Sequence, residues 1–432
     1  MSLWIRNGRI IDPSQKRDIV GDVFVQSGKI EAIGPNIVVP QVPGLNTIDA
    51  KGCWVTPGWI DMHTHLREPG GTHKETIRTG SESAAAGGFT SIACMANTQP
   101  VNDNSYVTSY IYQKVSSEAL INVYAIGAVT KGLQGEELAE IGSMFDAGIV
   151  GLSDDGKTLM NAYLLRKAMD YSKRFDLVII SHAEDSSLKG KGVMNEGFNS
   201  ARFGLRGIPR TAEDIIVARD ILVAEHTNSR LHIAHASTVG SVALIREAKR
   251  RGIQVTAEVT PHHLTLTDDA VIHYDTNTKV APPLREKRDV DALREALSDG
   301  TIDTLASDHA PHSIEDKEVE YDLAEFGMIG METAFPLYHK LVVEGLLSIN
   351  RMIEAMTIRP ATILGISKGT LKVGADADIT IADPSVRYTI DKQVFRSKSR
   401  NSPFDGWEVQ GRVMHTIVGG KVVYDAKAGG IQ

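Results

Sequence analysis

The stretch 54-WVTPGWIDMHTHLR-67 joins an apolar run, residues 54–60, to two histidines one residue apart, His63 and His65. A β-strand directs alternate side chains to the same side, so a strand ending here would bring both imidazoles to one point. Two convergent imidazoles make half of a metal site, which needs only one or two further ligands. The alternative is an ordinary strand end that carries two surface histidines.

Composition limits the classes of protein to consider. The 432 residues are 42% hydrophobic, enough for a large core such as an α/β barrel. No run approaches the ~18 apolar residues of a membrane span, and residues 1–8 lack an apolar signal segment. Only Cys53 and Cys94 are present, which fits a reducing cytoplasm. The net charge of -8 without basic runs argues against a nucleic-acid partner, and we expect no membrane contact either.

Seven further apolar runs follow the first one along the middle of the chain. Segments with helical periodicity separate them, such as residues 215–225 and residues 241–251, the latter closed by Gly252. Eight buried strands alternating with helices predict a parallel (β/α)8 barrel. The seven runs are residues 90–95, 121–126, 148–152, 177–180, 231–234, 254–259 and 302–306.

Both ends of the chain read as short strands instead. Asn7-Gly8, between residues 3–6 and 9–11, predicts a type I′ hairpin, and Ser27-Gly28 predicts a second hairpin. The C-terminal runs 377–381, 413–418 and 421–424 have the same character. We therefore predict one small β domain made from both termini, residues 1–56 and 366–432, beside a barrel of residues 57–365.

Chemically useful side chains follow the predicted strand ends, where the active sites of such barrels lie. Four histidines and two carboxylates on one rim can hold two divalent ions, with one carboxylate between them. These residues are His63 and His65 after the first strand, one of the pair Asp154-Asp155 after the fourth, His182 after the fifth, His235 after the sixth and Asp308 after the eighth.

The motifs 61-DMHTHLREPG-70 and 308-DHAPH-312 resemble those of dihydroorotases in the amidohydrolase superfamily, closest to the bacterial class I type. The likeness covers nearly the whole chain and includes 95-MANT-98, 153-SDDG-156 and Phe326-Gly327. In that family a TIM-like barrel carries a small β-sandwich built from both chain ends, and the resemblance implies the same fold here.

The resemblance also implies two zinc ions per subunit. His63, His65 and Asp308 would hold the first ion, His182 and His235 the second, and Asp155 would bridge them. Many relatives use a carboxylated lysine as the bridge, whereas the family spacing selects Asp155 here. Asp154 would then lie behind the ligands or in the loop, and Lys157 would be solvated.

The implied reaction is the reversible interconversion of N-carbamoyl-L-aspartate and L-dihydroorotate, a step of pyrimidine biosynthesis. A hydroxide between the metals would be the nucleophile, and Asp308 would transfer the proton. The Arg67 guanidinium suits the substrate carboxylate, although a surface ion pair with Glu68 is the alternative. The remaining expected substrate contacts are His65, Asn97, His312 and the pair Phe326-Gly327.

The family usually has Asn before Pro-Pro-Leu-Arg, but this chain has Ala281, which cannot supply an amide to the substrate. His262-His263 follow the seventh strand, and adjacent residues of a strand cannot both face one metal. We therefore favour a structural role for this pair, or one behind the ligands.

Other functions stay open at this point. One alternative is another cyclic-amide hydrolase, an allantoinase or hydantoinase. Those relatives usually lack an Arg at the position of Arg67. Another alternative is an inactive scaffold for aspartate transcarbamoylase, but such copies typically lose ligands that this chain keeps. We expect a homodimer, and a complex with aspartate transcarbamoylase stays open.

Overall fold

The protein is described by a computed structural model that covers residues 2–432. Its strands, in chain order, are β1 (Ser2–Asp12), β2 (Arg17–Gln26), β3 (Lys29–Gly34), β4 (Leu45–Asp49), β5 (Trp54–Pro57), β6 (Trp59–Thr64), β7 (Phe89–Cys94), β8 (Asn122–Gly127), β9 (Gly151–Leu152), β10 (Val178–Ser181), β11 (Met194–Asn195), β12 (Gly207–Ile208), β13 (Leu231–Ile233), β14 (Val255–Val259), β15 (Thr304–Leu305), β16 (Ile379–Thr389), β17 (Glu408–Val418), β18 (Lys421–Asp425) and β19 (Gly430–Ile431).

The helices lie mainly between the central strands. They are α1 (Ile77–Ala86), α2 (Ser105–Glu118), α3 (Ile141–Asp146), α4 (Ala162–Ser172), α5 (Ser186–Lys189), α6 (Phe198–Phe203), α7 (Thr211–Thr227), α8 (Val239–Arg250), α9 (Pro261–Thr265), α10 (Lys287–Asp299), α11 (Ile314–Lys317), α12 (Met331–Val343), α13 (Ile349–Met356) and α14 (Ile358–Leu364). None of these helices is long and apolar enough to cross a membrane.

Eight parallel strands form the central barrel, in the order β6-β7-β8-β9-β10-β13-β14-β15. The two outer strands approach each other through a parallel bridge between Thr64 and His309, and the backbone N–H of His65 donates to the His309 carbonyl at 2.9 Å. The predicted (β/α)8 barrel is confirmed, and each of the eight apolar runs overlaps one of its strands.

The apolar side chains of the strands divide between two sides of the barrel wall. Met62, Ala93, Ile126 and Ile180 belong to a compact cluster that is separate from the main core. The much larger main cluster joins the strands to the surrounding helices, for example through Ile92. Because both sides are covered by apolar groups, the strand sequences read as continuous hydrophobic runs rather than as alternating ones.

Strands from both chain ends form a second sheet of nine strands. Its order is β19-β18-β17-β16-β5-β1-β2-β3, with β4 paired to β1. The pairing of β16 with β5 joins the C-terminal strands to the N-terminal ones, for example Ile381 opposite Val55. The predicted β domain built from both termini is therefore confirmed, while its boundaries at residues 56 and 366 stay a prediction.

The hairpin predicted at Asn7-Gly8 is wrong. Strand β1 runs through this dipeptide and pairs with β2 on both sides of a bulge between Ile5 and Gly8. Asn7 takes the left-handed conformation (φ 60°) that the bulge requires, and its N–H donates to Asp22 at 2.9 Å. A side chain at Gly8 would collide with Val55 of the neighbouring strand. The Ser27-Gly28 hairpin between β2 and β3 is confirmed.

Candidate metal centre

The six side chains predicted as metal ligands are all buried at the carboxyl ends of the barrel strands. Five of them, all except Asp308, form two overlapping groups, and the ligand atoms within each group lie within 4.8 Å of one another. One group is His63, His65 and Asp155, and the other is Asp155, His182 and His235. Asp155 is the member that the two groups share.

Distances around Asp155 place it between the two pairs of histidines. Its Oδ1 lies 3.3 Å from His63 Nε2, 3.5 Å from His182 Nδ1 and 3.6 Å from His235 Nε2. Its Oδ2 lies 3.5 Å from His65 Nε2. The carboxylate is therefore within 3.6 Å of all four histidines.

Asp308, which follows β15, lies next to the first pair of histidines. Its Oδ1 lies 3.1 Å from His65 Nε2 and 3.4 Å from His63 Nε2. Both Asp308 (φ 48°) and His235 (φ 31°) have backbone angles that L-residues rarely adopt. Such strain collects at functional sites, where the surrounding structure holds a side chain in one direction.

Glu258 on β14 lies beneath the cluster and was not predicted from the sequence. Its Oε1 lies 2.5 Å from His63 Nδ1 and accepts the backbone N–H of His235 at 3.1 Å. Its Oε2 lies 3.1 Å from His232 Nε2. This carboxylate thus fixes the orientation of one ligand ring, as carboxylates behind metal-binding histidines do. A charged residue inside the apolar run 254–259 was the available signal.

Two buried polar atoms at the centre have no hydrogen-bond partner among residues 2–432: His63 Nε2 and Asp155 Oδ1. Buried polar groups are almost always paired, so an unpaired nitrogen and oxygen 3.3 Å apart call for a ligand. Imidazole nitrogens and carboxylate oxygens suit a divalent transition metal. The donor set therefore fits a metal cofactor.

The electrostatics point the same way. Burial lowers the pKa of His182, but the Asp155 and Glu184 carboxylates outweigh it and raise that pKa to about 9. Burial raises the pKa of Asp155, yet the nearby imidazoles, His63 foremost, hold it well below its usual range. The centre thus favours bound positive charge, which protons or metal cations can supply.

A cavity of about 240 Å³ opens directly above the cluster. The predicted substrate contacts all line it, together with Ala281 and two residues that the sequence did not suggest, Lys189 and Glu325. The predicted contacts are His65, Arg67, Asn97, His312, Phe326 and Gly327. The cavity is large enough for a small ring compound and has Asp308 in its wall.

Neighbouring groups fix the polar side chains of this cavity. Asn97 Oδ1 lies 2.9 Å from His65 Nδ1. Arg67 Nε donates to the Pro311 carbonyl at 3.1 Å, and its Nη2 lies 3.4 Å from His312 Nε2. His312 Nε2 also lies 2.9 Å from the Phe326 carbonyl. Arg67 and His312 are therefore held next to Phe326 and the segment before it.

The alternative reading of Arg67 as the partner of Glu68 is wrong. Glu68 accepts the backbone N–H of Ile77 at the start of α1 at 2.9 Å, and its other oxygen lies 3.6 Å from Lys114 Nζ. Within residues 2–432 Arg67 forms no ion pair, so its charge faces the cavity without a carboxylate partner.

The remaining candidates lie away from the cluster or behind it. Asp154 accepts the backbone N–H groups of Val129 and Thr130 at 2.8 and 3.0 Å, which places it in a loop contact. Lys157 is exposed. His263 lies between Thr260 Oγ1 and the Pro282 carbonyl. His262 is buried, and neither ring nitrogen has a partner among the described residues.

Asn401 was also missed by the sequence analysis. It comes from the segment between β16 and β17 of the terminal domain, yet its Oδ1 accepts the N–H of His312 at 3.2 Å. Its Nδ2 donates to the carbonyls of Ala310 and Gly327 at 3.0 and 3.2 Å. No local pattern signals this residue, because its partners lie more than 70 positions away along the chain.

Two family models match the chain. The model described as dihydro-orotase-like matches residues 52–241, and that of the amidohydrolase family matches residues 205–424. Together they cover the barrel and most of the C-terminal strands.

Curated relatives align over almost the whole length. A dihydroorotase from Geotalea daltonii is 52% identical over 424 residues, which cover 98% of this chain and 99% of the relative. A dihydroorotase from Pelotomaculum thermopropionicum is 54% identical, with 98% of each chain covered.

Similar solved structures are more distant in sequence. The L-hydantoinase (dihydropyrimidinase) of Arthrobacter aurescens superimposes with a TM-score of 0.88 at 30% identity, covering 98% of this chain and 95% of that one. A dihydropyrimidinase from Brevibacillus agri gives a TM-score of 0.85 at 27% identity, with the same coverage.

Proposed function

The chain belongs to the dihydroorotase family of the amidohydrolases and carries out cyclic-amide chemistry, interconverting N-carbamoyl-L-aspartate and L-dihydroorotate in pyrimidine biosynthesis; from this premise we propose that the cluster around Asp155 is its catalytic centre. The observation that carries the proposal is the position of Asp155 between two pairs of buried histidines. The hydantoinase alternative rests only on the more distant structural relatives.

The metal cofactor is two zinc ions in this proposal. His63, His65 and Asp308 would hold one ion, His182 and His235 the other, and Asp155 would contribute to both. The unpaired His63 Nε2 and Asp155 Oδ1 support this assignment, since a metal would satisfy both atoms. Mixed imidazole and carboxylate ligands are typical of zinc. Bound zinc would lower the pKa of a coordinated water to about 7 and would polarise the amide carbonyl.

Asp308 moves the proton. In the hydrolytic direction its carboxylate takes a proton from the attacking water and delivers it to the ring nitrogen as the C–N bond breaks. In the synthetic direction it takes a proton from the carbamoyl nitrogen and returns it to the departing oxygen. Its place in the cavity wall, next to His65, supports this role because the reacting amide must lie there.

The substrate carboxylate is bound by Arg67. Its guanidinium faces the cavity without an acidic partner and offers the fork that a carboxylate fits. Asn97, His312 and the backbone at Phe326-Gly327 complete the contacts, and His65 contributes on the metal side. At Ala281 the wall has no polar side chain, so this position supplies space rather than a hydrogen bond.

The test is an assay in both directions with metal measured on the same sample. We expect conversion of L-dihydroorotate and of N-carbamoyl-L-aspartate, loss of activity with a chelator and recovery with zinc. Allantoin and hydantoin serve as competing substrates. A metal-loaded protein that opens either of them but ignores dihydroorotate would overturn the substrate assignment.

Assembly and location complete the proposal. We propose a homodimer and a cytoplasmic location, and the location agrees with the two free cysteines, Cys53 and Cys94. A complex with aspartate transcarbamoylase is the remaining proposed interaction. Sedimentation of the protein alone and mixed with that enzyme measures both assemblies.

A further inference from the structure

We propose that Lys279 and Lys317 are positioning residues that hold the strap, residues 318–327, over the substrate cavity. The inference rests on the proposed function, since it concerns how that substrate is bound. The strap links α11 to the bridge at Met328 and carries Phe326-Gly327 into the cavity wall.

The strap has little structure of its own. It contains no helix or strand, and its internal backbone hydrogen bonds run only from Leu323 and Ala324 to the Glu320 carbonyl. Asp322, Leu323 and Glu325 are exposed. A segment of this kind pays conformational entropy to stay ordered, so contacts from outside must hold it in place.

Two lysine ammonium groups provide those contacts. Lys279 Nζ donates to the carbonyls of Ala324 at 2.6 Å and Asp322 at 3.1 Å. Lys317 Nζ donates to the carbonyl of Glu325 at 2.6 Å. Three carbonyls within four consecutive residues of the strap thus point at two buried amines.

The burial of these lysines makes the contacts strong. Lys279 is 2% exposed and Lys317 is 5% exposed, and neither forms an ion pair within residues 2–432. Burial lowers the pKa of Lys279 to about 8 and that of Lys317 to about 7. A buried amine without a carboxylate depends on its remaining acceptors, so removing the strap carbonyls would leave both groups unsatisfied. Order in the strap and burial of the lysines are therefore coupled.

Lys279 also contacts the part of the strap that lines the cavity. Lys279 Nζ lies 4.5 Å from the centroid of the Phe326 ring, a cation–π distance, and the Lys279 carbonyl accepts the Gly327 N–H at 2.8 Å. The Phe326 carbonyl in turn lies 2.9 Å from His312 Nε2. Lys279 therefore fixes the backbone at the proposed substrate contact on both sides of the peptide.

Neither lysine is among the proposed metal ligands or in the wall of the cavity. Loss of a strap anchor should therefore weaken substrate binding and leave the chemical step intact. In kinetic terms KM rises while kcat stays close to its original value, the pattern of an interaction made equally with substrate and transition state.

The experiment compares Lys279→Met and Lys317→Met with Lys249→Met. Lys249 is a partly buried lysine that donates to Gly300 and Asp303 on the outside of the barrel, and it controls for the loss of a buried amine. We expect KM for both substrates to rise about tenfold in the two strap variants, with kcat within about twofold and metal content unchanged. Lys317→Arg, which keeps donors, should retain more affinity than Lys317→Met.

Hydrogen exchange of the strap amides provides a second measurement that needs no activity. Residues 320–327 should exchange faster in Lys279→Met than in the original protein and in Lys249→Met. If folded, metal-loaded strap variants keep the original KM, or if strap exchange is unchanged, the proposal is overturned. Inactivity of the unaltered protein toward both substrates would instead sink the proposed function, and the exchange result would still stand.

Discussion

His63 Nδ1 and Glu258 Oε1 lie 2.5 Å apart inside the barrel, and neither side chain reaches solvent. The contact leaves His63 Nε2 as the free nitrogen and directs it toward Asp155. Glu258 also accepts the backbone N–H of His235, so one carboxylate steadies a proposed ligand of each ion. Glu258 on β14 thereby helps to orient the proposed ligands His63 and His235 at the carboxyl ends of the barrel strands.

The substitution Glu258→Gln is expected to weaken metal binding by about 10- to 100-fold, because the ring of His63 loses its charged partner. The measurement is a metal competition titration with a chromophoric chelator. The control is Glu332→Gln, a partly buried glutamate whose carboxylate accepts hydrogen bonds from Ser83 and from the backbone N–H of Ser397. Equal metal affinity in both variants would remove Glu258 from this role.

Asp155 and Asp154 allow a matched comparison of neighbouring carboxylates. Asp155→Asn should lose most bound metal, because the proposed shared ligand loses its charge. Asp154→Asn should keep its metal, since its carboxylate contacts the loop at Val129 and Thr130. Metal per chain, determined by elemental mass spectrometry on freshly purified protein, separates the two. Comparable loss in both variants would contradict the assignment.

Asp308→Asn should lower kcat by about 10²- to 10⁴-fold when measured at saturating metal, because an amide cannot carry the proton. Assays are run with added zinc so that weaker metal binding does not account for the loss. Near-normal turnover would show that another group transfers the proton.

Arg67→Ala should reduce kcat/KM by about 10- to 100-fold. This is the loss expected when a charged group that hydrogen-bonds the substrate carboxylate is removed. Arg67→Lys should recover little of it, because lysine lacks the planar fork. Metal content stays unchanged in both. A kcat/KM equal to that of the original protein would place the carboxylate elsewhere.

Ala281→Asn tests the position where the family resemblance leads us to expect an asparagine. The added amide would face the cavity and is expected to lower KM by a few-fold, about the value of one hydrogen bond. Ala281→Val adds bulk without an amide and should raise KM instead. Unchanged kinetics in both variants would show that the substrate does not reach this wall.

Local sequence patterns predicted the barrel well because each of its strands is buried on both sides and reads as an apolar run. The rim residues followed from the same pattern, since the chain places His182 and His235 directly after such runs. The selection of Asp155 over Asp154 needed the family resemblance. In the structure the two adjacent carboxylates face different partners, Asp155 the histidines and Asp154 a loop.

The wrong hairpin prediction and the residues that the sequence did not reveal share a physical cause. Asn7-Gly8 has the chemistry of a tight turn, but β4 and β5 pair with the two halves of β1 and keep the strand running. Glu258, Asn401 and Lys279 act through partners far along the chain. A short-range pattern cannot report such contacts, because they exist only once the fold brings the partners together.

The hydrogen bonds of Asn401 to Ala310, His312 and Gly327 make the terminal β domain a structural component of the substrate cavity. An excised barrel of residues 57–365 would keep every proposed metal ligand and still lack a support for its carboxylate-binding wall. If this barrel were joined to a foreign sheet, that sheet would therefore need a residue that replaces the side-chain amide of Asn401.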